Sequence, residues 1–100
     1  MLPSAYLAQK LTPYPLPTKD GGVLRTVGDA HAYIMELPRK RALRAHWQHA
    51  CRLLLQQARA APLTRQVHLA LFMDGKLDAG ALEHMSSARR WRQHAPFTNR

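Results

Sequence analysis

Pro38 to Pro62 reads PRKRALRAHWQHACRLLLQQARAAP, and the reading of this stretch decides the fold. The two prolines bracket a run with no further proline or glycine. Proline lacks an N–H and pushes the residue before it out of the α region, so it ends one helix and suits the first turn of the next. The run therefore predicts a long helix over about Arg39 to Ala61. At helical spacing Leu43, Trp47, Ala50, Cys51, Leu54 and Ala58 fall within about 100° of arc, wide enough for a core face. On the opposite side Arg41, Arg44, Gln48, Arg52 and Arg59 lie within about 80° of one another, a stripe of cations and one amide.

Upstream, Val27 to Leu37 reads as a shorter helix. Val27, Ala30, Ile34 and Leu37 recur at three- and four-residue steps, with Tyr33 on the flank. Thr26 with Asp29 three residues on forms an N-cap with a carboxylate in the first turn. Before that, Pro3, Pro13, Pro15 and Pro17 make the first residues extended, and Asp20-Gly21-Gly22 marks a turn that closes a short hairpin of Leu16–Thr18 with Val23–Arg25. Downstream, Leu63, Val67, Ala70 and Leu71 share a face of a third helix over about 63–73. Alternation of Val67, Leu69, Leu71 and Met73 before Asp74-Gly75 leaves a strand and hairpin turn as the competing assignment. A fourth helix over about 79–93 takes Asp78 as N-cap and buries Leu82, Met85 and Ala88. The expected architecture is mainly α: three to four helices with an extended Pro-rich arm and a short hairpin. It divides into an arm over 1–25, a helical domain over 26–93 and a basic tail over 94–100.

One hundred residues make a single domain. A chain of this mass buries about 65% of its unfolded surface, enough for one modest core. No apolar run approaches the roughly 18 residues of a spanning helix, so a transmembrane protein is excluded. Cys51 stands alone, which removes an intramolecular disulfide and favours a reducing compartment. The first ten residues have neither the basic nor the apolar region of a secretory signal, so cytoplasmic residence is expected.

Charge is the most unusual property. Fifteen Lys and Arg against six Asp and Glu give +9. Residues 39–65 alone hold Arg39, Lys40, Arg41, Arg44, Arg52, Arg59 and Arg65 without a single acid, and Arg89, Arg90, Arg92 and Arg100 form a second cluster. An acid-free Arg stripe suits the phosphates of a nucleic acid, with Gln48 as a further donor and Arg89, Arg90 and Arg92 as a second patch. The plainer reading is an ordinary solvated helix face, Arg being a good helix former. An acidic protein surface is the alternative partner. Helices joined by Ala60-Ala61-Pro62 suggest a helix-turn-helix only weakly, since that turn lacks glycine.

His46, His49 and Cys51 resemble metal ligands in composition, but on one helix Cys51 lies about 140° or more from the histidines, so no metal or cofactor is expected. Gly-x-Ser-x-Gly, a phosphate-cradling Gly-Lys loop and His-Glu-x-x-His are all missing, and most of the acids sit in turns or caps, so an enzyme is not expected. Tyr6, Tyr14, Trp91 and Phe97 place aromatic rings in the arm, the last helix and the tail. Such rings dock onto the chain's own core or, in a homodimer, onto a second subunit. Leu37-Pro38 through Trp47-Gln48-His49-Ala50 and Leu53-Leu54-Leu55 is similar to a pattern in small bacterial proteins; the resemblance implies a bacterial accessory protein and no particular activity.

Overall fold

A computed structural model describes residues 2–20 and 22–85. Its elements are α1 (Ser4–Leu7), β1 (Leu16–Thr18), β2 (Gly22–Leu24), α2 (Val27–Met35), α3 (Arg39–Ala42), α4 (Ala45–Leu55) and α5 (Ala60–Met73). A last helix, α6, starts at residue 79 and is described to residue 85. The fold is mainly helical with one two-stranded antiparallel hairpin. Among the described residues no helix is long and apolar enough to cross a membrane.

Thr26 opens α2 with a full capping box: its hydroxyl accepts from the Asp29 amide at 3.1 Å and the Asp29 carboxylate accepts from the Thr26 amide at 3.2 Å. Val27, Ala30 and Ile34 are buried, as their spacing requires. The helix closes at Met35, two residues before the expected Leu37, and Pro38 then caps α3. The hairpin pairs Leu16 with Leu24, Pro17 with Val23 and Thr18 with Gly22, so its second strand lies one residue earlier than expected. Leu77 adds an isolated bridge to Thr18 on the outer edge of β1. Asp78 accepts from the Ala81 amide at 3.1 Å, which makes it the N-cap of α6.

Residues 60–73 are helix throughout, so the strand alternative fails. Leu63, Val67, Ala70 and Leu71 are all buried on one face of α5, and the three- and four-residue period overrides the weaker alternation. At Asp74-Gly75 the chain forms a Schellman motif instead of a hairpin turn. Gly75 takes φ +69, its amide donates to the Phe72 carbonyl, and the Lys76 amide donates to the Leu71 carbonyl.

The long helix expected over 39–61 is three pieces. Arg44 is extended, with φ −71 and ψ 146, and separates α3 from α4. Gln57 is left-handed, with φ 52, and its amide donates to Leu54 while the Ala58 amide donates to Leu53, a second Schellman reversal with glutamine in the usual glycine position. Residues 56–59 connect α4 to α5, and Ala60-Ala61-Pro62 is the first turn of α5, not a linker. Pro62 explains the placement. In the first turn its missing N–H has no helical partner to lose, whereas a helix running through it would clash at the Ala58 carbonyl. Leu43, assigned to the core face of a continuous helix, is 61% exposed at the α3–α4 corner.

The N-terminal segment does not stand off as an arm. Tyr6 is buried and its hydroxyl donates to the Ala58 carbonyl at 2.6 Å. Leu11 is buried, the Thr12 amide donates to Thr64 Oγ1 at 3.2 Å, and the Tyr14 hydroxyl lies 3.1 Å from His68 Nδ1. A Cβ on Gly28 would stand 3.1 Å from the Leu7 carbonyl, so the close approach of α1 to α2 depends on glycine there. The segment and hairpin enlarge one core in which Trp47, Leu16, Leu63, Leu71, Val27 and Val67 are fully buried. Trp91 and Phe97 lie outside the described residues, as do residues 86–93 of the expected last helix and the 94–100 tail.

Truncation of buried Leu54 to alanine is expected to lower unfolding free energy by about 2–5 kcal/mol in urea denaturation. Gln57→Gly is expected to raise it by up to about 1 kcal/mol in the same assay, because glycine relieves the left-handed backbone.

Candidate functional site

Arg41, Arg44, His46 and Trp47 crowd donors into seven residues that contain no acceptor of opposite charge. The acceptor arrives from the far end of α5. Asp74 Oδ2 accepts from Arg41 Nε at 2.6 Å and Trp47 Nε1 at 2.7 Å, and Oδ1 accepts from His46 Nε2 at 2.9 Å and Arg44 Nη1 at 3.1 Å. The Asp74 side chain is 2% exposed, so all of its acceptor capacity is used inside the protein. The break at Arg44 makes this convergence feasible. On one straight helix His46 would point about 140° or more from Arg41 and Arg44, out of reach of a shared carboxylate.

The network continues outward. The Tyr33 hydroxyl accepts from Arg41 Nη2 at 3.0 Å and donates to Asp20 Oδ1 at 3.0 Å. Arg41 Nη1 lies 3.5 Å from Asp20, and its guanidinium carbon stands 5.5 Å and 5.8 Å from the ring centres of Tyr33 and Trp47. Asp20, Tyr33 and Arg41 also line a small cleft of about 270 Å³ with Glu36, Pro38 and Lys76.

Burial opposes ionisation of Asp74, but hydrogen bonds from Trp47, Arg41 and His46 and the charge on Arg41 outweigh it, and its pKa falls from 3.8 to about 2. The carboxylate is thus ionised at neutral pH, and His46 Nε2 must carry the proton it donates. For Arg41, burial works against the charge and bonds to Asp74 and Tyr33 more than restore it, so its pKa is raised. Burial leads the upward shift of the Tyr33 phenol, with Asp20 adding to it and Arg41 opposing. With Asp74 ionised and its four acceptor positions taken, the cluster clamps α3 and the start of α4 to the end of α5.

The Arg stripe is accordingly not continuous and not free of carboxylate. Arg41 is 15% exposed and spent on Asp74, Asp20 and Tyr33; Arg44 is half exposed with one nitrogen on Asp74. Gln48 is exposed and its Nε2 donates to the Ala42 carbonyl at 3.3 Å. Arg52 lies on the exposed side of α4, whereas Arg59 has left the stripe to become the N-cap residue of α5. Arg89, Arg90 and Arg92 lie outside the described residues. His46 is committed to Asp74 and Cys51 is half-buried; among the described residues no three His, Cys, Asp or Glu side chains gather as a metal site.

What remains is a set of exposed cations, Arg39, Lys40, Arg52, Arg59 and Arg65, which form no ion pair within the described residues. The helix starts reinforce them. α3, α4 and α5 open without a side-chain cap and without an acid in the first turn, and the N-cap residues of α4 and α5 are Arg44 and Arg59. The start of α4 has the Asp74 carboxylate beside it through Arg44, His46 and Trp47, so the uncompensated positive end is that of α5. The chain matches no family model, no curated protein and no solved structure.

Asp74→Asn is expected to destabilise the fold by about 3 kcal/mol, because Arg41 keeps its charge in a largely buried place. The folded pKa lies below the unfolded one, so the ionised clamp stabilises the protein above about pH 4 and its contribution is lost as pH falls toward 2. Denaturation curves of the two proteins should accordingly converge over that interval.

Proposed function

We propose that this protein is a small accessory or regulatory protein that binds the backbone of a nucleic acid, and not an enzyme. The observation that carries the reading is the set of exposed, unpaired cations Arg39, Lys40, Arg52, Arg59 and Arg65 on the run from α3 to α5. Arg44 joins them with its solvent-facing half, while Arg41 is withdrawn from the earlier stripe because its guanidinium is used by the clamp. Arginine offers phosphate a planar pair of donors, and the uncapped N-terminus of α5 adds to the attraction. Arg89, Arg90 and Arg92 supply further positive charge to the same ligand. A cytoplasmic location goes with this reading and with the free thiol of Cys51.

An acidic protein partner is the second reading. It is favoured by Leu43, Phe72 and Met73, which are 61%, 66% and 57% exposed and have nothing to gain from a phosphate backbone.

Salt titration separates the two. Contact with about four or five phosphates gives a log K against log salt slope of about −4 on duplex DNA. Charge reversal at Arg39 and Lys40 is expected to leave the fold intact, since a cation in a first helical turn is unfavourable, and to reduce the slope by about two. Failure to bind duplex or single-stranded nucleic acid at low salt would exclude the first reading.

A further inference from the structure

The N-terminal segment and the outer side of α5 bring three rings into one row. The Tyr14 hydroxyl lies 3.1 Å from His68 Nδ1, and the two rings meet edge to face with 5.9 Å between centres. Phe72 follows His68 by four residues on α5, one turn further along the same side of the helix, and it is exposed. At the Tyr14 end the row opens into a cleft of about 400 Å³ whose walls include Lys10, Thr12, Tyr14 and Arg25 and no acid. Building on the nucleic-acid reading above, we propose that this surface binds a single strand, with Tyr14 and Phe72 stacked on unpaired bases and Lys10, Arg25 and Arg65 on phosphates.

Charges and rings together select that occupant. Lys10, Arg25 and Arg65 are exposed and form no ion pair within the described residues. Arg65 shares the outer face of α5 with Leu69 and Phe72, at four- and seven-residue steps, and α5 holds no acid from Ala60 to Met73. The carboxylate nearest to Arg25 in sequence, Asp29, accepts from the Arg25 and Thr26 amides and lines a different cleft with Val23 and Glu36. A single strand presents a base face to each ring and phosphates to the cations between them. A duplex keeps its bases stacked on one another, so it would engage the cations and leave Phe72 in water. An acidic protein would also meet the cations, but any large apolar side chain would serve it where Phe72 stands.

Fluorescence anisotropy of the full chain with a labelled oligothymidylate and with a hairpin duplex of equal length, across a salt series, tests the site. The oligothymidylate is expected to bind more tightly at equal salt. Phe72→Ala should weaken it about tenfold while leaving duplex binding and the salt slope unchanged, since the lost contact carries no charge. Phe72→Leu should give the same loss, because leucine keeps the apolar surface but has no ring face. Lys10→Gln combined with Arg25→Gln should reduce the single-strand slope by about 1.4. Lys10, Arg25 and Phe72 are exposed, so far-UV circular dichroism should match that of the parent chain. Failure to bind either probe at low salt removes the nucleic-acid reading and this site with it. Equal loss on both probes in Phe72→Ala, full rescue by Phe72→Leu, or no loss at all overturns the single-strand site alone and gives the outer face of α5 to a protein.

Discussion

A carboxylate with nine-tenths of its surface removed from water is tolerated only if something else solvates it, and around Asp74 that role falls to four donors from one short stretch. The requirement propagates through the structure. Arg41 and Arg44 must approach from α3 and from the bend, His46 and Trp47 from the first turn of α4, so the backbone has to bend at Arg44. Trp47 is thereby fixed in rotation and fills the centre of the core, and α5 is held at its C-terminal end to the start of α4. Asp74 also sits at the negative end of α5, where a carboxylate is ordinarily unfavourable; the surrounding cations answer that field along with the charge itself.

The same clamp divides the arginines into two populations. Arg41 faces inward and is structural, and Arg44 gives one nitrogen to Asp74 while half of its side chain stays exposed. Among the described residues Arg39, Arg52, Arg59 and Arg65 meet no acid and remain at the surface. The +9 of the chain is therefore not a uniform coat, and total charge overstates how much of the Arg-rich segment is offered to a ligand.

Local signals in the sequence account for much of the fold. Thr26 with Asp29, the period of Val27, Ala30 and Ile34, the face of Leu63, Val67, Ala70 and Leu71, and Asp78 before a helix are all decided by neighbours within one turn, and each is found where its chemistry places it. The break at Arg44 and the reversal at Gln57 are different. Nothing in ALRAHW forbids a helix; the bend brings Arg44 to a carboxylate thirty residues away. Glutamine is not the residue expected in a left-handed position, so Gln57 gives no local sign. Asp74 itself was hidden because Asp-Gly is a common turn signal, and its second role is visible only in space. The surplus of donors across Arg41 to Trp47, in a segment without acids, was the one hint that a carboxylate had to be delivered from elsewhere.

Tyr6 bonded to Ala58, and Thr12 to Thr64, join positions 52 residues apart. On the ribosome this ordering has a consequence: residues 6–14 are made well before α5, and although α1 can pack on α2, the Tyr6, Thr12 and Tyr14 partners exist only once residues 58–68 have been synthesised. α2 can form early from its own cap, yet the core is completed only when α5 reaches back to residues 6–14, and until then the Tyr6 and Tyr14 hydroxyls lack the partners they have in the fold.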